Sequence, residues 1–401
     1  MINIKKRNSD EKYSIYICAY FILNALNAGL QQGFGVSGTI LSIAKITMQL
    51  ILVFLIINFI HKMKYNDFFY FCVIELFLIF IVLYSKMIGS NIILTDNWII
   101  TLVSVCGPCF CCAFLIDNRE ILYNYLLKFS WILLFLNMLS IVNWQSLYDM
   151  HFSYSMLLVF LLHFTYYIDI KKKVLLIVCV LEFFMILFFG SRGALICICV
   201  FFLLKILFGD MKIQRKFLTV IGGGIIVIVF YYTYISVRYS LLIWLSNHGY
   251  YSRTLTILLS GEFASHDSGR NDVWEKTIDL IKQKPLKGWG IGGAISELSP
   301  FDVTFPHQLI LDLILTFGIV LGGICCVLII KFCIKGLLMK SFFDKRLAHI
   351  FFCTSIVKLM FSATLFTDVT FFIFLGVVVG SRRNDNCEMS YKHNKERNCY
   401  E

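Results

Sequence analysis

Three short stretches of this chain have the residue types and spacing for chemistry on a phosphate-bearing molecule. The first is Gly269-Arg270-Asn271-Asp272-Val273-Trp274, followed by Pro285-Leu286-Lys287-Gly288-Trp289-Gly290. The second is Gly190-Ser191-Arg192-Gly193, which joins two apolar runs. The third is Pro306-His307-Gln308, with Asp312 shortly after it. A guanidinium binds phosphate through two parallel N–H···O bonds. An imidazole titrates near neutrality and can take a proton from a hydroxyl. Each residue also has a plainer use. Arg192 can snorkel and cap its turn, Arg270 can be a solvated loop charge, and His307 can be a polar residue at a helix end. Together, Arg192 and Arg270 can hold the two phosphates of a pyrophosphate, and His307 can serve an attacking hydroxyl. Ser191, Trp274, Trp289, Gln308 and Asp312 are the expected substrate contacts around them.

Local pattern predicts how these residues are held. A helix is expected from Arg270. Trp274, Ile278 and Ile281 would share a face, and Asp272 and Glu275 would favour its dipole. Free backbone N–H groups at such a helix start favour anions. Pro285 ends the helix, and Gly288, Gly290, Gly292 and Gly293 then make a flexible or tightly turning segment. Gln308 and Asp312, four residues apart, share a face.

The rest of the 401-residue chain reads as membrane. It is 59% hydrophobic and 15% charged, against about 45–50% apolar and about 25% charged in a globular domain. Apolar runs fall near 13–30, 39–60, 68–85, 98–116, 121–141, 152–168, 174–189, 193–208, 217–234, 307–330, 348–363 and 365–380. These are about twelve spanning helices, each needing roughly 20 residues. A barrel would alternate apolar and polar residues and is excluded. The expected fold is all-α, a polytopic membrane helix bundle forming one domain over 1–401. It carries one long extracytoplasmic loop at 236–306 with short helices and a basic cytoplasmic tail at 381–401. Tail disorder follows from its polarity. The part of the loop from Leu241 to Leu259, with Trp244, Tyr250 and Tyr251, suits a segment lying at the interface.

Basic residues set the orientation. With Lys5, Lys6 and Arg7 in the cytoplasm, Lys171 to Lys173, Lys212, Arg215, Lys216, Lys331, Lys335, Lys340, Lys345, Arg346, Arg382 and Arg383 all fall inside. The short outer loops hold only Lys86 and Arg192. The net charge of +11 is therefore accounted for without a nucleic-acid partner. No cleavable signal peptide is expected. Cys106-Gly107-Pro108-Cys109 has the thioredoxin spacing but sits mid-span, where a Pro-kinked helix is expected rather than redox chemistry. Lys45, Glu75, Glu182, Lys205 and Lys358 lie within spans. They can snorkel, pair internally, line a groove or carry protons. The sequence has no zinc spacing, Walker loop or Rossmann fingerprint, and no metal or cofactor is called for.

Ser191-Arg192-Gly193-Ala194 opening a span, Gly269-Arg270 with Trp274, Pro285 to Gly290, His307, and then Phe317-Gly318-Ile319 with Gly322-Gly323 occur in a familiar order. In this order and spacing, residues 185–325 resemble the O-antigen polymerase and O-antigen ligase superfamily of bacterial polytopic glycosyltransferases. Gln308 departs from the pattern, in which Asn often follows the His. The resemblance implies a GT-C-like bundle in the cytoplasmic membrane with its site at the outer face. It implies a polyprenyl-pyrophosphate-linked oligosaccharide as donor, held by Arg192 and Arg270, with His307 acting on the acceptor hydroxyl. Membrane lipids, a flippase and a chain-length regulator of the same pathway are the partners it implies. A repeat-unit polymerase is the leading function, an O-antigen ligase the near alternative, and a polysaccharide or ion-coupled membrane transporter the alternative of another class.

Overall fold

The computed structural model describes residues 2–61, 63, 65–88, 98–141, 150–208, 240, 243, 247 and 269–381. Among them all regular structure is helical. In chain order the helices are α1 (Ile2–Ala28), α2 (Gly38–Ile60), α3 (Tyr65–Met87), α4 (Trp98–Leu115), α5 (Arg119–Ser140), α6 (Met150–Ile170) and α7 (Lys173–Phe189). They continue with α8 (Arg192–Phe208), α9 (Arg270–Gln283), α10 (Leu309–Leu337), α11 (Phe342–Phe352) and α12 (Val369–Ser381). In lipid every backbone N–H and C=O must be satisfied within the protein, and a helix does so within itself. Every expected apolar run except 217–234 overlaps one of these helices, 348–363 only in part because α11 gives way to a π-helical turn, Cys353–Val357, and then to a turn. That run, the interfacial segment 241–259 apart from residues 243 and 247, the polar stretch 260–268 and the tail from 382 lie outside the described residues, as does the Lys45 side chain.

Six helical stretches are long and apolar enough to cross a membrane: Ser9–Gly33, Tyr65–Met87, Trp98–Leu115, Arg119–Ser140, Phe152–Ile170 and Leu309–Leu337. The protein is a polytopic membrane protein. Cys106 and Cys109 are buried and unpaired with each other. Pro108 follows closely on a π-helical turn, Leu102–Cys106, the kind of local adjustment by which a spanning helix accommodates a proline.

The helices gather into two compact units, Met1–Leu23 with Ile43–Phe129 and Asp272–Glu401, and Asn24–Ser42 with Ser130–Asn271. Contacts in the first unit sort the connections into two sets. At one end the Asp10 carboxylate accepts the N–H groups of Asp117 (3.2 Å) and Asn118 (3.1 Å). There the buried Arg119 pairs with Asp344 at 3.2 Å and also donates to the Ala113 carbonyl. At the other, Ile291 N–H donates to the Ser85 hydroxyl (2.6 Å), the rings of Trp98 and Phe305 lie 6.0 Å apart, and Thr364 donates to Asp312 (2.7 Å). Helices that alternate in direction produce this sorting.

α10 is not the single rod the run 307–330 suggests. Gly318 has φ 79° and ψ 172°, and the chain bends so sharply that a Cβ on Gly322 would stand 2.8 Å from the Ile314 Cα. Leu309–Gly318 is mostly buried in protein, whereas Ile319, Val320, Ile324, Val327 and Ile330 present apolar side chains outward. The lipid-facing crossing therefore starts at Ile319. The break frees the carbonyls of Leu315 and Thr316, and the 285–290 segment satisfies them. Trp289 N–H donates to Leu315 (2.8 Å), Gly290 N–H to Thr316 (3.0 Å), and Ile319 N–H returns to Pro285 (2.7 Å). The backbones touch because both sides are glycine. A Cβ on Gly288 would lie 2.4 Å from the Thr316 oxygen, and one on Gly318 would lie 2.3 Å from that of Leu286.

Gly318→Ala and Gly288→Ala each meet both a left-handed φ and a backbone clash. Each should lower the unfolding midpoint of the full chain in detergent while Gly323→Ala, whose added Cβ meets nothing within 4 Å, does not. An unchanged midpoint in Gly318→Ala would contradict the interlock.

Candidate functional site

The Arg192 turn belongs to the second unit. Gly190 is required sterically, since a Cβ there would stand 2.1 Å from the Ile186 carbonyl oxygen. Ser191 N–H donates to the Ser153 hydroxyl of α6 at 2.7 Å, and Ala194 N–H closes the first turn of α8 on the Ser191 carbonyl at 3.1 Å. Ser191 is 3% exposed, and among the described residues its own hydroxyl has no hydrogen-bond partner. Arg192 is the first residue of α8 and half-buried. A helix start leaves backbone N–H groups unspent. Such N–H groups, a guanidinium and a hydroxyl are chemically able to bind an anion.

Arg270 is likewise the first residue of its helix, α9, and half-buried. Gly269 before it has φ 74° with open space around it, so glycine serves the backbone conformation rather than close packing. The buried face of α9 is Val273, Thr277, Leu280 and Ile281, not the expected Trp274, Ile278 and Ile281. Ile278 is 43% exposed. The stripe is turned by one position because α9 packs on Ala294, Leu298 and Leu315, with Trp289, Val303, Leu311 and Ile314 around them. Leu280 and Leu298 are fully buried, each worth about 1.5–3 kcal/mol.

The two tryptophans act as struts of this small core. Trp274 donates its indole N–H to the Pro306 carbonyl at 3.0 Å, and Trp289 to the Leu280 carbonyl at 2.8 Å. The Lys284 ammonium lies 3.8 Å from the centre of the Trp289 ring, a cation–π contact. Arg270 shares a helix face with Trp274, one turn on.

His307 follows Pro306 and has φ 55°, an uncommon conformation for a residue with a side chain. Its ring packs on Phe305 at 4.3 Å between centroids, and Phe305 in turn on Trp98. Gln308 caps α10, its side-chain oxygen accepting Leu311 N–H at 2.6 Å. Asp312 is 6% exposed and held by the Thr364 hydroxyl. The structure thus collects Trp274, Trp289, His307, Gln308 and Asp312 in the first unit. It places Ser191 and Arg192 in the second, with Arg270 next to last in it.

Of the charges expected within spans, three have partners or ring contacts inside the protein and, among the described residues, Glu75 does not. Lys358 pairs with Asp368, which also accepts Phe371 N–H at 3.0 Å as the cap of α12. Glu182 bonds His163 at 2.5 Å. The Lys205 ammonium sits 5.1 Å from the Phe201 ring centre. The Glu75 oxygens are buried against Gly107 and have no hydrogen-bond partner among the described residues. Ser153, His163 and Thr364 are the supporting residues that sequence reasoning missed. His163 had a signal, a titratable group inside an apolar run. Ser153 and Thr364 had none, because hydroxyls within spans commonly bond to their own helix. Thr364→Val removes a donor from a buried carboxylate and should cost about 1–3 kcal/mol. The unfolding midpoint of the full chain in detergent checks this, and an unchanged midpoint would contradict it.

Residues 177–326 match a family model described as O-antigen ligase. The match begins in α7 and ends in α10. It takes in Ser191, Arg192, Arg270, both tryptophans, His307, Gln308 and Asp312. No curated protein matches the chain. Over residues 177–326 the chain is therefore similar to the O-antigen ligase family, as is consistent with the O-antigen polymerase and ligase superfamily.

Proposed function

We propose that the protein is a polysaccharide repeat-unit polymerase of the bacterial cytoplasmic membrane. It transfers a growing glycan from polyprenyl pyrophosphate to the next lipid-linked repeat unit at the outer face. On this reading, twelve crossings with both termini cytoplasmic would put the 236–306 loop and the Arg192 turn on that face. The observation that carries this proposal is that Arg192 and Arg270 each begin a helix, within the matched region. Each adds a guanidinium to a helix start already suited to an anion.

In the transfer, the acceptor hydroxyl oxygen attacks the anomeric carbon of the donor. The bond from that carbon to the pyrophosphate oxygen breaks with its electron pair going to the leaving group. Arg192 and Arg270 neutralise the charge that develops there. His307 takes the hydroxyl proton or, at the least, orients that hydroxyl. Attack opposite the leaving group inverts the anomeric centre. The energy comes from the donor's own sugar–phosphate bond, so no nucleotide or cofactor is required. Polyprenyl-linked oligosaccharides are the substrates, membrane lipids the surroundings, and a flippase and a chain-length regulator the expected neighbours in the pathway. Ser191 completes the donor seat, while Trp274, Trp289, Gln308 and Asp312 hold the loop and the acceptor end in place.

The description of the matched family favours one second reading, an O-antigen ligase passing finished chains to lipid A-core. Both activities require the same donor grip. Of the charges that would serve ion-coupled transport, Glu182, Asp312 and Lys358 are paired within the protein, and Glu75 has no hydrogen-bond partner among the described residues. Deletion of the gene should leave surface glycan with single repeats and no long-chain ladder on a gel. Loss of all attached glycan, single repeats included, points instead to the ligase. Arg192→Ala, Arg270→Ala and His307→Ala should each lower polymer formation by about 10²–10³-fold, the usual effect of removing one stabilising donor, while still reaching the membrane. A normal ladder in the Arg192 or Arg270 variant would refute the pyrophosphate clamp.

A further inference from the structure

The second unit contains a buried polar chain to which the transfer reaction gives no role. The Ser130 hydroxyl of α5 lies 2.8 Å from Nε2 of His163 on α6, and Nδ1 of His163 lies 2.5 Å from Oε1 of Glu182 on α7. All three are at most 1% exposed, and the Trp131 ring covers the imidazole at 4.2 Å between centroids. Hydroxyl, imidazole and carboxylate stand in the order of a nucleophile relay. Ser130 is fully buried, however, so the chain is built for holding rather than for bond making.

A second contact joins the same helix hairpin. Ser153 on α6 takes the Ser191 N–H just past the end of α7. On α6 the two contact points, Ser153 and His163, lie about 15 Å apart along the axis; on the other side Glu182 lies in the last turns of α7 and Ser191 just beyond its extended cap, Gly190. The contacts therefore agree on one antiparallel register. They add to the ring contacts Phe152–Phe189 and Phe160–Phe183 and to the two-residue connection, Lys171 and Lys172, between the same helices. Elsewhere α7 presents Val174, Ile177, Val180, Leu181 and Phe184 outward, and on that lipid-facing side an apolar helix loses little by sliding. A slide of one turn would move the Arg192 turn by about 5.4 Å and strand the Glu182 carboxyl.

We propose that the Ser130–His163–Glu182 chain and the Ser153–Ser191 contact form a two-point register lock on α7. The lock sets the depth at which Arg192 meets the donor's pyrophosphate, so Glu182 and Ser153 are positioning residues for the transfer. This rests on the donor-binding role given to Arg192.

The test uses the full-length protein in membranes and reads position separately from activity. Arg192→Cys is labelled with a membrane-impermeant maleimide, with the Arg192-containing protein as the blank for native thiols. Adding Glu182→Leu should shift the labelling rate several-fold, and adding Glu182→Gln, which keeps a hydrogen bond to His163, should largely restore it. A Ser299→Cys thiol on the exposed loop should label at the same rate in all backgrounds. With Arg192 present, Glu182→Leu should raise the donor KM and lower transfer by about 10²-fold, the scale of an ångström-sized misplacement. Should Glu182→Leu fail to fold, Ser153→Ala tests the other contact by the same labelling shift. Unchanged labelling in the folded variants overturns the lock. A shift in labelling together with normal polymer in Arg192→Ala would keep the lock and remove the donor role of Arg192.

Discussion

The interlock between the Gly318 break and the 285–290 segment is the constraint on which the first unit depends. A helix interrupted at membrane depth exposes carbonyls that lipid cannot satisfy, at several kcal/mol each. Here Trp289 and Gly290 satisfy Leu315 and Thr316, and Pro285 receives Ile319 N–H. The break and the loop therefore stabilise each other. The same exchange brings α9, the Trp289 ring and the Leu309–Phe317 half of α10 into one small apolar core. From that core Trp274 reaches the Pro306 carbonyl beside His307.

Three buried carboxylates have partners supplied within the protein. Around Asp312, Asp368 and Glu182 the structure supplies a hydroxyl, an ammonium and an imidazole. Breaking such pairs is costly because a lone buried charge remains. At the start of α8 the buried Ser191 hydroxyl has no hydrogen-bond partner among the described residues and stands next to the half-buried Arg192. That arrangement supports the proposal that the Arg192 turn binds an anion.

Much of this was legible in the sequence. Composition and run length identify a polytopic helical protein, and Pro285 and the glycines after it mark the end of α9 and a tight segment. Arg192 and Arg270 both prove to be first residues of helices, as the neighbouring glycines and apolar runs predict. The break within α10 was not legible, because Phe317-Gly318-Ile319 is as apolar as an unbroken span and only the partner segment makes Gly318 bend. The inner face of α9 was misplaced by one position because Trp274 reads as core, whereas its indole N–H is directed to a carbonyl. The tie of Ser153 to Ser191 depends on helices meeting 38 residues apart, which periodicity does not encode.

The central claim is that Arg192 and Arg270 hold the pyrophosphate of a lipid-linked donor. Equilibrium binding of a polyprenyl pyrophosphate to the purified full-length protein tests it most directly, compared with a variant carrying both Arg192→Ala and Arg270→Ala. The account predicts saturable binding that inorganic pyrophosphate displaces more effectively than phosphate and that the double variant loses. Equal affinity in the two proteins would contradict it.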